Sequence, residues 1–264
     1  MDSSYKIPGS EPQMLPVGSG TEAREIAFIH HAKGEPGVLW LSGFMSDMGS
    51  TKATAVAAWA DERGLSSTRF DYSAHGRSSG TMEDGTIGHW LDEADAIFST
   101  ITSGPQVIIG SSMGGYIALL LLRRLLRDRP QEAARIKAML LIAPAWDMTE
   151  ELMWKRFPEE TRRDIMAIGS FRQPSAYASP YLITRKLIED GRKHLLARES
   201  FDPGRPIVIL QGLQDPDVPA PHTKELKTFL TGDKVKLVEI ADGEHRLSRP
   251  QDLDLLFSEL DKLV

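Results

Sequence analysis

The chain has 264 residues, 31 Lys and Arg against 37 Asp and Glu for a formal net charge of -6, 41% hydrophobic residues and no cysteine. That length suits one large α/β domain or two small ones, and the mildly acidic balance argues against a nucleic-acid partner. The missing cysteine excludes disulfides, a thiolate nucleophile and thiolate metal sites, and it fits a reducing compartment.

Residues 1–20 are rich in Gly, Pro and Ser and read as a loose arm or edge strand. Residues 1–6 lack the basic-then-apolar order of a secretion signal. The longest strongly apolar run, 116–122, is too short to cross a bilayer and is followed by Arg123 and Arg124. No membrane span is expected, and a cytoplasmic location is.

A strand is expected at 24–31. Val38-Leu39-Trp40-Leu41 is a short apolar run of the buried-strand kind, ending at Ser42-Gly43. Residues 51–61 read as an Ala-rich helix, 67–72 as a strand, and 73–80 as a Gly/Ser loop. Over 86–100 the apolar residues Ile87, Trp90, Leu91, Ala94, Ile97 and Phe98 recur at helical spacing. Gln106-Val107-Ile108-Ile109 is the next strand and 116–122 opens the next helix. Further strands are expected at 138–143, 206–210 and 235–240, with an amphipathic helix at 251–263. Strands alternating with helices argue for an α/β fold with a mostly parallel central sheet covered on both faces.

The stretch 146–205 breaks that rhythm. It shows helix-like pieces at 149–156, 159–168 and 181–196, no obvious strand, and the aromatics Trp146, Trp154, Phe157, Phe171 and Tyr177. A single crossover needs only about a dozen residues, so this stretch reads as a helical cap inserted over the mouth of a site. The expected organisation is a core of 1–145 and 206–264 with a helical cap insertion at 146–205. Met45, Trp146, Trp154 and Phe171 are the candidate lining of a substrate pocket.

The chemistry is read from the junction of the strand at 106–109 with the helix after it. Gly110-Ser111-Ser112-Met113-Gly114 is a Gly-x-Ser-x-Gly turn between strand and helix, the context of a nucleophile elbow. Glycine at 110 and 114 removes side chains that so tight a turn would press into its neighbours, and Ser112 is left projecting. A serine hydroxyl needs a base within hydrogen-bond reach, and the base needs an orienting carboxylate. His245 follows the last expected strand and is the candidate base. Asp215, in Gly212-Leu213-Gln214-Asp215-Pro216-Asp217-Val218-Pro219, is the candidate acid. Asp217 lies on the same loop and is the competing choice, with capping of the next helix as its other reading. Asp242 and Glu244 flank His245 and read as solvated loop charges. Two backbone N–H groups, of Phe44 and of Met113, are the candidate oxyanion donors. His75 lies on a different loop ahead of the nucleophile, and a structural role is expected for it. His30 and His31 are neighbours on a strand and point to opposite faces, which does not suit a shared metal. Neither a cofactor nor a metal is called for.

The order Ser112, Asp215, His245, with Ser42-Gly43-Phe44 before it and Asp71-Tyr72-Ser73 through Gly76 and Ser78 between, resembles the α/β-hydrolase superfamily from about residue 24 to 264. Leu41-Ser42-Gly43-Phe44, Met48-Gly49-Ser50-Thr51-Lys52-Ala53, Arg69-Phe70-Asp71-Tyr72-Ser73, and Gly104-Pro105-Gln106 leading to Gly110-Ser111-Ser112-Met113-Gly114-Gly115 are similar to the mitochondrial palmitoyl-protein thioesterases that also act as acyl-glucuronide esterases. The resemblance implies a serine esterase or thioesterase acting on small-molecule acyl esters or thioesters, with Ser112, Asp215 and His245 as its triad. No mitochondrial targeting segment is expected, because Asp2 and Glu11 sit where such segments are acid-poor. On the same fold the rival readings are a peptidase, a carbon–carbon bond hydrolase and a cofactor-free haloperoxidase. A catalytically silent binding protein is the rival from another class.

Overall fold

Alternating side-chain direction builds the central sheet. In the computed structural model, which describes residues 11–174, 180–197 and 199–264, the strands are β1 (Gln13–Val17), β2 (Arg24–His31), β3 (Gly34–Leu41), β4 (Leu65–Phe70), β5 (Gln106–Ser111), β6 (Ile136–Ile142), β7 (Ser170–Gln173), β8 (Tyr181–Thr184), β9 (Ile207–Gly212) and β10 (Val235–Ile240). Eight of them form one sheet in the order β1-β2-β4-β3-β5-β6-β9-β10. From β4 to β10 every pairing is parallel. At the other edge β2 runs antiparallel to β4, and β1 antiparallel to β2. The helices are α1 (Thr51–Glu62), α2 (Ile87–Ala96), α3 (Met113–Asp128), α4 (Pro130–Ala133), α5 (Glu159–Ile168), α6 (Arg185–Gly191), α7 (Ala220–Phe229) and α8 (Pro250–Leu260).

Successive residues of the central strands serve opposite faces, as a strand period of two requires. Leu39, Leu41 and Ile108 pack toward α2 and α3. Val38, Trp40, Val107 and Ile109 pack toward Val56 and Trp59 of α1 and Leu256 and Leu260 of α8. Helix α3 buries Tyr116 through Leu122 without a break, so it is covered nearly all round. The expected mostly parallel sheet with helices on both faces is therefore what the chain forms. Among the described residues no helix is long and apolar enough to cross a membrane.

Between β6 and β9 the chain departs from the expected all-helical run. Residues Thr149–Met153 form a π-helical turn and Trp154–Arg156 a 3₁₀ turn, and only α5 matches its expected span. The helix expected at 181–196 is corrected: Tyr181–Thr184 is a strand pairing antiparallel with Ser170–Gln173, and α6 begins at Arg185. The Thr184 hydroxyl accepts the Leu187 N–H and caps α6, which fixes where strand gives way to helix. Of the loose arm or edge strand expected over 1–20, residues 1–10 lie outside the described residues, as does Tyr177, and β1 at Gln13–Val17 occupies the sheet edge.

Candidate active site

Ser112 stands between the end of β5 and the start of α3 with φ 54° and ψ -117°, a strained left-handed backbone for a non-glycine residue. The strain is held by close packing on both sides. A Cβ at Gly114 would fall inside the contact distance of Leu41 O and lie 2.7 Å from Ser42 O, and one at Gly110 would lie 2.5 Å from Gly114 O. The glycines therefore let the first turn of α3 press against the end of β3, and only Gly fits there. Ser112 N–H is held by Ile142 O at 2.8 Å, so the turn is also tied to β6.

The three residues singled out as nucleophile, base and acid meet. His245 Nε2 lies 3.1 Å from Ser112 Oγ, and His245 Nδ1 lies 2.7 Å from Asp215 Oδ2. The Asp215 side chain is fully buried and that of His245 is 18% exposed. Asp215 Oδ1 accepts the N–H groups of Asp217, at 2.9 Å, and Val218, at 2.8 Å. Its carboxylate is thus locked with one oxygen on its own loop and the other on the imidazole. Asp217 is near as well: ligand atoms of Asp215, Asp217 and His245 all lie within 4.8 Å of one another. The oxygen that receives Nδ1 nevertheless belongs to Asp215, and Asp217 contributes its backbone N–H to orient that carboxylate.

The loop after β3 lies against Ser112, with a Cβ at Gly43 only 3.4 Å from Ser112 Cβ. Ser46 N–H donates to Gly43 O at 3.1 Å, closing a turn through Phe44 and Met45. Met45 takes φ 58° in that turn. The Phe44 ring is gripped by Tyr181, Trp90 and His75, at centroid distances of 5.5, 5.8 and 6.0 Å. Met113 opens α3, where the first N–H groups have no partner within the helix and the positive end of its dipole lies. The N–H groups of Gly115 and Tyr116 both turn to Ser112 O. Phe44 and Met113 therefore flank Ser112 from two different elements.

His75 is buried, with Nδ1 2.9 Å from Ser73 O and its ring against Phe44, Tyr72 and Trp90. Burial pushes its pKa down. Asp71 beside it accepts the N–H groups of Met48, at 2.6 Å, and Arg77, at 2.8 Å. Burial pushes that carboxyl up, against those two bonds. This loop braces the Phe44 turn from behind and does not reach Ser112.

A cavity of about 1110 Å³ opens over Ser112 and His245, somewhat above the usual range for small-molecule sites. Phe44, Met45 and Phe171 line it, together with Met148, Leu152, Met153, Phe157, Tyr181 and Val218. Trp146 and Trp154 do not. Trp146 is 1% exposed, stacks on His222 at 4.1 Å and donates its indole N–H to His222 O. Trp154 lies under the guanidinium of Arg192 at 4.7 Å. Aromatic residues at helical spacing carry no sign of which face they occupy, and here they serve packing. Leu152, Met153 and Phe157 line the cavity beyond the residues expected from the sequence, and the only sequence signal for them is an apolar residue on each turn of 148–157. Lys52, Arg156 and Arg246 add positive charge to the lining.

Residues 35–182, more than half of the chain, match the family described as Serine aminopeptidase, S33 (Hydrolase_4), and the chain belongs to this family of α/β-hydrolases. A protein from Agrobacterium vitis S4 whose crystal structure is described as that of a candidate hydrolase is 39% identical, with a TM-score of 0.93 over 97% of this chain and 99% of that one. The mouse α/β-hydrolase domain-containing protein 10 superposes with a TM-score of 0.83 at 26% identity, covering 96% of this chain and 98% of that one. The bovine mitochondrial palmitoyl-protein thioesterase ABHD10 is 29% identical over 233 residues, which is 87% of this chain and 73% of that protein.

Proposed function

We propose that this α/β-hydrolase is a serine esterase or thioesterase of acyl substrates, working through an acyl-enzyme on Ser112. The observation that carries the reading is the continuous relay Ser112 Oγ, His245, Asp215, at 3.1 and 2.7 Å, opening into a mainly apolar cavity. The thioesterase name borne by the ABHD10 relatives supports the same direction.

In this reading His245 Nε2 takes the Ser112 proton as Oγ attacks the acyl carbonyl. Asp215 accepts the Nδ1 proton's hydrogen bond, fixes the tautomer and stabilises the imidazolium. The N–H groups of Phe44 and Met113 receive the developing oxyanion. The C–O or C–S bond then breaks, His245 returns the proton to the leaving group, and the acyl group stays on Ser112. Water enters, gives a proton to His245 and attacks the acyl carbonyl. Collapse frees the carboxylic acid and restores Ser112. Each step uses groups already positioned before substrate arrives, which is where most of the rate enhancement of such sites comes from.

The family description also raises an aminopeptidase reading. Such an enzyme holds a substrate ammonium, for which carboxylates are needed. Here Arg156 and Arg246 line the cavity against Asp217 beyond the relay, a balance that favours an uncharged or anionic substrate. Hydrolysis of p-nitrophenyl esters from acetyl to palmitoyl, matched acyl thioesters and aminoacyl p-nitroanilides tests the choice, with Ser112→Ala as background. Ser112-dependent turnover of esters or thioesters with a defined chain-length optimum is expected. Turnover confined to the anilides would replace the reading with a peptidase.

A further inference from the structure

Lys52 lies in the first turn of α1, where charged side chains ordinarily face water, yet it is 9% exposed. Its ammonium reaches the loop between β10 and α8. It donates to the carbonyl oxygen of Arg246, the residue directly after His245, and lies 3.4 Å from Ser248 Oγ. The Ser248 hydroxyl also donates to Arg246 O, at 3.0 Å. Burying an ammonium is unfavourable unless its protons find acceptors. Burial first, and the Arg246 guanidinium next, push Lys52 down to about 8, with Asp252 of α8 pulling the other way. An apolar side chain would fill the same space without that cost, so the position calls for another explanation.

The His245 loop supplies it. On the N-terminal side of His245 the backbone itself holds the loop: Gly243 N–H donates to Ile240 O, and Gln214 N–H donates to Gly243 O at 2.9 Å. That second bond locks the base loop to the acid loop. On the C-terminal side Leu247 has φ 42° and its side chain is buried under the sheet. Between these two fixed points the carbonyl of Arg246 is held by side chains, those of Lys52 and Ser248. Lys52 is also rigidly based. Val56 and Trp59 seat α1 on the sheet, and Trp59 stacks on Phe257 of α8 at 6.3 Å. The helix begins where the Phe44 loop ends, with Ser50 N–H donating to Asp47 O and Thr54 N–H to Ser50 O.

We infer that Lys52 is a positioning residue that ties the exit of the oxyanion loop to the carbonyl beside His245 and so holds the imidazole at hydrogen-bond distance from Ser112. The inference rests on the acyl-hydrolase reading only for its kinetic readout. Asp215 sets the rotation of the ring about Nδ1, and Lys52 sets the height of the loop that delivers Nε2 to Ser112. A displacement near 1 Å at such a contact costs about 10²-fold in rate.

The test compares wild type with Lys52→Met, which keeps the apolar stem and removes the donor, and with Ser248→Ala, which leaves Lys52 in place and removes one of the two donors to Arg246 O. Steady-state hydrolysis of the best p-nitrophenyl ester is measured alongside thermal unfolding and the far-downfield proton NMR signal of His245 Nδ1–H. For Lys52→Met we expect kcat to fall by about 10- to 100-fold with KM little changed, and the downfield signal to shift or broaden. Ser248→Ala moves both readouts the same way by less, and it decides the matter if Lys52→Met does not fold. A raised KM at unchanged kcat would make Lys52 a substrate-binding residue and overturn the inference. So would an unaltered downfield signal in a folded Lys52→Met, or in Ser248→Ala if Lys52→Met does not fold. If the wild type hydrolyses no ester or thioester, the functional reading fails, and the NMR signal still decides the positioning role.

Discussion

Replacing Asp215 by asparagine separates the two acids on their loop by a route the structure spells out. Asp215 Oδ1 accepts two backbone N–H groups, those of Asp217 and Val218, at 2.9 and 2.8 Å. An amide NH₂ cannot take that place, because it would face two donors, so the asparagine oxygen must occupy it. The NH₂ is then forced onto the 2.7 Å contact with His245 Nδ1. Nδ1 becomes an acceptor, the ring proton moves to Nε2, and Nε2 can no longer take the proton of Ser112. The geometry survives while the tautomer is wrong, a change that costs about 10⁴ in kcat, or roughly 5.5 kcal/mol of transition-state stabilisation. Asp217→Asn keeps the backbone N–H that orients Asp215, so its kcat should stay within the wild-type order of magnitude. The assay is ester hydrolysis by both variants across pH, with unfolding measured in parallel. A severe Asp217→Asn beside a mild Asp215→Asn would refute the reasoning and move the acid by two residues.

Gly114→Ala should destabilise the protein by about 3 kcal/mol or more, because the new Cβ meets the backbone of Leu41 and Ser42 and no flexible side chain can yield. A denaturant midpoint close to wild type would show that the elbow is looser than described. His222 offers a test by pH. Its Nε2 lies 3.0 Å from Trp146 O, and burial lowers its pKa to about 4 from 6.5. The unfolded chain therefore takes up a proton at a higher pH than the folded one. Above pH 6.5 this group leaves stability unaffected, and between 6.5 and 4 it removes stability progressively, by about 3 kcal/mol in all. Denaturant titrations at pH 7 and pH 5 should show a smaller loss for His222→Phe than for wild type, and equal losses would contradict the assignment.

The parts of the fold most legible in the sequence are those where one residue type answers one local demand. The turn at Ser112 is readable because only glycine tolerates the approach of Leu41 O to position 114 and of Gly114 O to position 110. Asp215 is readable from its loop, but its preference over Asp217 becomes physical only when the two backbone N–H bonds to Oδ1 are seen. The stretch between β6 and β9 was harder to read. Ser170–Gln173 and Tyr181–Thr184 are four residues each, too short for a period of two to stand out, and the helix pattern of α6 ran back over the second. A bulky aromatic beside a site can point either way, and Trp146 points into the packing against His222. Asp147, at φ 48°, is fully buried and accepts the N–H groups of Leu196, at 2.6 Å, and Ala197, at 3.0 Å. Such a turn, which no propensity announces, redirects the chain. Lys52 falls in a run that carries the family resemblance, but its role is not legible there, since a lysine early in a helix ordinarily reads as solvated.

The central claim is a covalent acyl intermediate on Ser112, and rapid acid quench of the enzyme with a slowly hydrolysed acyl ester tests it most directly. Intact-mass and peptide mass spectrometry should then find the mass of one acyl group on the peptide bearing Ser112, and none in Ser112→Ala. Ester turnover with the acyl mass on another residue, or turnover that persists in Ser112→Ala, would contradict the account.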